Sequence, residues 1–160
     1  MEITARASAR TSNFIARRLP AVGRKATVRQ VEQYRSSGGR KGNKIVGRPV
    51  FLLDVIGRSS GVLRPVMLMY VPRGEDLVVI GSAAGSDATP NWYRNLIAAG
   101  SADVQVGPDR WTVELRELVD GPERDACWSL ANAVYPGFDS YQKFTDRRLP
   151  VAVLSRKSTA

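Results

Sequence analysis

Arg58 and Arg64 bracket two hydroxyls in the run Gly57-Arg58-Ser59-Ser60-Gly61-Val62-Leu63-Arg64-Pro65, which lies between apolar, strand-like stretches. A guanidinium offers a planar fork of N–H donors that matches phosphate or carboxylate oxygens. Glycines at both ends permit tight or left-handed backbone, which exposes successive N–H groups. The chemistry implied is anion binding, and a phosphorylated ligand is the natural occupant. A plain hairpin turn with solvated arginines accounts for the same residues equally well.

The chain has no histidine. That removes Ser-His-Asp and Cys-His pairs, histidine metal sites and the commonest general base. An enzyme of this composition takes its chemistry from an organic cofactor, with the protein supplying binding, orientation and hydroxyl donors such as Tyr or Ser. The lone Cys127 reads as a small apolar residue on a helix rather than as a reactive thiol.

Charge is uneven. Residues 1–48 hold 12 Lys/Arg against Glu2 and Glu32, whereas residues 49–160 hold 12 against 13 acidic residues. The basic segment offers only Phe14 and Tyr34 for stacking, so nucleic acid is not the expected partner. Within residues 1–19, Ile3, Ala7, Phe14, Ile15 and Leu19 form a thin apolar face among four arginines. A mobile basic tail is the favoured reading, and a segment drawn to an anionic membrane surface is the alternative. No apolar run is long enough to span a bilayer and no secretory signal is visible. The expected location is therefore the cytoplasm, with the inner face of the membrane as the alternative station of the arm.

These residues need a scaffold to position them. A length of 160 residues suits one folding unit. The division expected is a basic arm with helical segments over 1–48 and a barrel domain over 49–160. Val28, Val31 and Tyr34 predict a short helix over 27–35. Strands are predicted over 50–56, 66–71, 77–81, 103–106, 111–119 and 151–154. Arg73-Gly74-Glu75-Asp76 and Gly107-Pro108-Asp109 read as hairpin connections. Thr89 as N-cap and Pro90 as first residue predict a helix through Ala99 closed by Gly100, and Pro122 starts another through about Val134. The fold class is mainly β with α elements: an antiparallel barrel with flanking helices.

Several motifs taken together resemble the deazaflavin-dependent nitroreductase family. They are Gly57 to Gly61 with Arg64-Pro65, Met67-Leu68-Met69-Tyr70, Gly81-Ser82-Ala83-Ala84-Gly85, Pro90-Asn91-Trp92-Tyr93-Arg94-Asn95-Leu96, and Tyr135 to Gln142 with Thr145 to Val151. The similarity covers most of residues 28–155. It implies a split β-barrel of the flavin-reductase type that binds coenzyme F-420 and transfers hydride from its reduced form. By this resemblance Arg58, Ser59, Ser60 and Arg64 hold the phosphate and nearby tail. The strand Pro65, Val66, Met67, Leu68, Met69 runs beneath the deazaflavin ring. Ile80, Gly81, Ser82 and Ala83 add backbone and hydroxyl contacts, and Asn91, Trp92, Tyr93, Arg94 and Asn95 bring a helix N-terminus towards the same ligand.

Core packing competes with several of these roles. Trp92 and Leu96 lie four apart and would face the core together, and methionines in a strand most often pack. Tyr135, Phe138 and Tyr141 recur every three residues and read either as a substrate-pocket wall or as packing against the barrel. In the family, a tyrosine from this region and the serine matching Ser82 place or protonate the acceptor. Phe138 stands where the family often has tyrosine, and a phenyl ring donates no proton, so that role passes to Tyr135, Tyr141, Ser82 or water. Ser59 and Ala83 also stand where the family commonly carries lysine. The implied activity is hydride delivery to an electron-poor apolar acceptor, a quinone, enone or nitro compound. A non-catalytic lipid-binding member of the same fold is the alternative. Flavin mononucleotide is the lesser cofactor candidate, and either a monomer or a homodimer fits.

Overall fold

The computed structural model describes residues 20–159, with side chains from residue 27 onward. The chain runs α1 (Pro20–Ser36), β1 (Lys44–Ile45), β2 (Arg48–Ile56), β3 (Leu63–Met69), β4 (Pro72–Arg73), β5 (Asp76–Ile80) and a 3-10 turn at Ala83–Gly85. It continues through α2 (Asn91–Ala99), β6 (Ser101–Val106), β7 (Asp109–Leu118), α3 (Pro122–Val134), α4 (Gly137–Gln142) and β8 (Val151–Arg156). Every strand pair is antiparallel, and the order β3-β2-β6-β7-β8-β5 curls into a barrel. Among the described residues no backbone pairing joins β3 to β5, and this gap is where the barrel is split.

Alternation along each strand explains the layers. Phe51, Leu53 and Val55 of β2, Leu77 and Val79 of β5, and Ala152 and Leu154 of β8 point into one buried cluster inside the barrel. Their neighbours face outward and are covered by helices. Val78, Ile80, Val151 and Val153 pack under α3 and α4 with Cys127, Ala131 and Phe138. Val50 and Leu52 pack under α1 with Val31 and Tyr34. Asp54, next on that outer face, is buried and ion-paired with Arg35 of α1 and, at 3.5 Å, with Arg110.

The helix expected over 27–35 is thus longer, and its Val31 and Tyr34 pack on the barrel. Tyr34 seals the contact: its hydroxyl accepts a hydrogen bond from the Gly107 N–H at 2.9 Å and donates to the Gln105 carbonyl at 3.3 Å. The amphipathic segment read over residues 1–19 lies outside the described residues. No helix among the described residues is long and apolar enough to cross a membrane.

All six predicted strands are present, with ends that coincide at Ile56, Val106 and Val151 and are otherwise displaced by one to three residues. Two local readings change. Pro90, not Thr89, is the N-cap of α2, and no side chain caps it, while Gly100 closes the helix at φ 71° as expected. The connection between β3 and β5 contains the extra strand β4, and the segment after α3, for which the sequence predicts no helix, forms α4.

Candidate active site

Two cavities meet along β3. The first, of about 500 Å³, is lined by Gly57, Arg58, Ser59, Ser60, Arg64, Pro65 and Val66, with Asn91, Trp92 and Asn95 from α2. The β2–β3 loop that forms its rim is closed by Gly57 N–H to the Val62 carbonyl and Gly61 N–H to the Gly57 carbonyl, both 2.8 Å. Gly61 is left-handed at φ 66°. A Cβ on Gly57 would sit 2.6 Å from Ser60 Oγ, which a turn of the serine relieves, and 3.3 Å from the Val62 carbonyl oxygen.

Asn95 is buried, and its Oδ1 accepts from both the Arg58 N–H, at 3.1 Å, and Arg58 Nη1, at 2.8 Å. One turn earlier, Asn91 Oδ1 accepts from Nη2 at 3.4 Å. The guanidinium therefore lies along α2 with further N–H donors unspent. Among the described residues neither Arg58 nor Arg64 has a carboxylate within ion-pair distance. Two unneutralised cations in one concavity attract an anion.

The second cavity, of about 200 Å³, occupies the split between β3 and β5. Met67, Leu68 and Met69 line one side and Val78, Val79 and Ile80 the other, with Ile45 and Val71 at the margin. Trp92 lines both cavities. Tyr135, Phe138 and Tyr141 of the α3–α4 region form a further wall, and Ser82, Ala83 and Ala84 another.

The two tyrosines act as a pair. Their hydroxyl oxygens lie 3.0 Å apart, and Phe138 packs edge-on to Tyr135 with ring centroids 5.5 Å apart. Burial, followed by the hydrogen bond shared with Tyr135, pushes the Tyr141 phenol well above its ordinary value. Gly137 makes the arrangement possible: a Cβ there would lie 2.2 Å from Cε1 and 2.6 Å from the hydroxyl oxygen of Tyr135.

The Ser82 wall is held from behind. Arg147, half-buried, donates through Nε to the Ser86 carbonyl at 2.7 Å, through Nη1 and Nη2 to Gly81 at 3.1 Å, and through Nη2 to Ser82 at 2.9 Å. Ala83 and Ala84 take left-handed backbone, φ 43° and 53°, which costs an alanine about 1–2 kcal/mol each. Gly85, at φ 81°, abuts α4, where a Cβ would meet the Tyr141 carbonyl oxygen at 2.7 Å.

Residues 26–156 match the family model described as F420H(2)-dependent quinone reductase. The chain belongs to that family. An F420H(2)-dependent quinone reductase of Mycobacterium tuberculosis is 32% identical over 127 residues, which is 78% of this chain and 85% of the relative. A solved F420-H2 dependent reductase is 36% identical with a TM-score of 0.63, covering 68% of this chain and 95% of its own. A domain-swapped dimer is 30% identical with a TM-score of 0.65, covering 85% of this chain and 99% of its own. The split-barrel fold expected from the motifs is the fold of the family.

For this quinone reductase family member, the sequence-predicted residues divide between the cavities. Arg58, Ser59, Ser60, Arg64, Pro65, Val66, Asn91 and Asn95 gather at the first, and Met67, Leu68, Met69, Ile80, Ser82, Ala83, Tyr135, Phe138 and Tyr141 at the second. Gly81, Tyr93 and Arg94 line neither cavity. Tyr93 is a core residue whose hydroxyl donates to Glu117 at 2.6 Å, Arg94 is exposed, and Gly81 offers its carbonyl to Arg147. Sequence reasoning missed Arg147. Nothing in Arg147-Arg148-Leu149-Pro150 distinguishes the inward arginine from Arg148, which bonds outward to Asp120 and the Val119 carbonyl.

Proposed function

We propose that the protein oxidises reduced coenzyme F-420 and delivers the hydride to a quinone, at the junction of the two cavities beside Trp92. The observation that carries this reading is the pair of arginines without carboxylate partners among the described residues, joined through β3 and Trp92 to an apolar cavity edged with hydroxyls. A phosphorylated cofactor with a flat ring fits that donor set: Arg58 and Arg64, with Ser59 and Ser60, hold its anionic part, and the strand Pro65–Met69 supports its ring. When bound, the coenzyme supplies the hydride.

One hydride and one proton convert a quinone to its hydroquinone, so the protein must place the acceptor and serve its oxygen with a proton. Met67, Met69, Ile80 and Phe138 offer an apolar bed that excludes water. Ser82, Tyr135 and Tyr141 offer the hydroxyls. Tyr141 keeps its proton across the physiological range because burial and its hydrogen bond with Tyr135 raise its affinity for it; one O–H of the pair is spent between the two oxygens, and the other donates a hydrogen bond to the acceptor oxygen while water supplies the proton. Phe138 serves as apolar wall, and the donor role attributed in the family to a tyrosine falls to its neighbours. The named relatives are reductases, and no observation here favours a lipid carrier.

Anaerobic mixing of the protein with reduced coenzyme F-420 and menadione tests the reading. Return of the oxidised coenzyme's absorbance with equimolar loss of menadione is expected. No return with menadione or with a longer-chain quinone would exclude it. Oxidised coenzyme is expected to quench tryptophan fluorescence saturably and flavin mononucleotide to compete poorly.

A further inference from the structure

We propose that Arg147 is a positioning residue for the acceptor: it fixes the Ser82–Gly85 wall of the apolar cavity and so sets the Ser82 hydroxyl and the Ala83 amide at the reacting end of the bound quinone. The inference rests on the quinone reductase reading for its catalytic part, and on geometry alone for its structural part.

The four hydrogen bonds from Arg147 end on the carbonyls of Gly81, Ser82 and Ser86, which bracket the wall on both sides. A planar trans peptide places N–H opposite C=O. With the Ser82 carbonyl turned to the guanidinium, the Ala83 N–H is turned away from it. Ser82, Ala83 and Ala84 all line the cavity, and no hydrogen bond among the described residues uses the Ala83 amide. The Ser82 carbonyl also accepts from Gly85 N–H at 2.9 Å, and Ala83 from Ser86 N–H at 3.1 Å, so one side of the loop is satisfied within the protein.

The loop would not hold this shape unaided. Ala83 and Ala84 are strained in the left-handed region, and such strain persists only where surrounding structure over-determines it. Arg147 provides that constraint from one side and the contact of Gly85 with α4 from the other. Among the described residues no carboxylate lies within ion-pair distance of Arg147, and the hydrogen bonds of its guanidinium all go to this loop. Lysine would keep the charge but lose the fork that reaches three carbonyls at once.

The test compares Arg147→Lys with Arg148→Lys, the neighbouring exposed arginine, in wild-type and Ser82→Ala backgrounds. Amide hydrogen exchange on the ligand-free protein is read first. Arg147→Lys should speed exchange of the hydrogen-bonded Gly85 and Ser86 amides by roughly tenfold with β5 and β8 unchanged, whereas Arg148→Lys leaves the loop as it was. Turnover with menadione is read second. Arg147→Lys should lower kcat by about tenfold with the KM for coenzyme within about twofold, and the effect should shrink to about threefold, the share carried by the Ala83 amide, once Ser82 is alanine. Unchanged loop exchange overturns the proposal, and so does a kcat loss that is the same in both Ser82 backgrounds. A wild-type protein that fails to reduce any quinone while Arg147→Lys loosens the loop would sink the reductase reading and leave Arg147 as the loop's anchor.

Discussion

The cavity around Arg58 keeps its shape through side chains bonded to a single helix, whereas the cavity behind Trp92 keeps its shape through backbone drawn from several distant elements. In the first, Asn91 and Asn95 of α2 take the guanidinium and main chain of Arg58, and the loop closes on itself. In the second, β3, β5, the Ser82 turn and α4 contribute walls whose spacing is fixed by Gly85, Gly137 and Arg147. The contrast separates two tasks. Recognising an anion takes charge and donors, which one loop can present. Holding an apolar acceptor beside a ring takes shape, which only the assembled fold supplies.

The largest effect expected tests the second cavity through the fold. Gly85→Ala combines a left-handed backbone with a 2.7 Å encounter with the Tyr141 carbonyl, and should destabilise the protein by about 2–4 kcal/mol. A loss of Tm on the order of 5–15 °C in thermal unfolding is the expected reading. Arg58→Ala should strike only the first cavity. Charge-assisted hydrogen bonds to a phosphate are worth about 1.5–3 kcal/mol, so affinity for oxidised coenzyme should fall by about 10- to 100-fold in a fluorescence titration, with Tm nearly unchanged. If Arg58→Ala lowers Tm as much as Gly85→Ala does, the division between a charged loop and a packed shape is wrong.

The two cavities also differ in how far the sequence discloses them. The glycines, hydroxyls and arginines of the first lie within nine consecutive residues, and their chemistry is written in their types. The alternation of Phe51, Leu53 and Val55 with Val50, Leu52 and Asp54 likewise reveals a strand, yet the whole run 50–55 is apolar apart from Asp54, so it does not say that α1 covers one face. Arg147 could not be told from Arg148, because which guanidinium turns inward depends on where α4 leaves the chain. Ala83 and Ala84 carry no mark of left-handed backbone, since alanine ordinarily avoids it. Tyr93, placed by its motif near the ligand, turns inward with Leu96 because the apolar side of α2 faces the barrel.

Gly137→Ala sharpens the contrast within the second cavity. The new methyl must displace the Tyr135 ring and so part the two hydroxyls, while Arg58 and its loop stay as they are. A hydrogen bond of about 1 kcal/mol predicts a fall of roughly fivefold in turnover with menadione and no change in coenzyme affinity. Ala84→Gly acts in the opposite sense. It removes about 1–2 kcal/mol of backbone strain and adds about 0.5–1 kcal/mol of unfolded-state entropy, leaving a gain of about 0.5–1 kcal/mol and a Tm higher by a few degrees.

Acid provides the mildest way to set the two cavities apart. Glu123, at the start of α3, receives Arg116 through both oxygens at 2.6 and 2.7 Å and Arg73 at 2.8 Å, which ties the helix to β7 and β4. Those hydrogen bonds, from Arg116 first and Arg73 second, hold its carboxyl down from 4.5 to about 2. A depressed folded value means that this contribution is complete above the unfolded value and is lost as pH falls from about 4.5 towards 2. The helix it ties down leads into Tyr135 and α4, which wall the apolar cavity, whereas among the described residues no carboxylate lies within ion-pair distance of Arg58 or Arg64. Glu123 is at the surface, so the change is small and salt weakens it further. Hydrogen exchange across this window should therefore rise in α3 and α4 before it rises in the β2–β3 loop, and Glu123→Gln should remove that order by loosening α3 already at neutral pH.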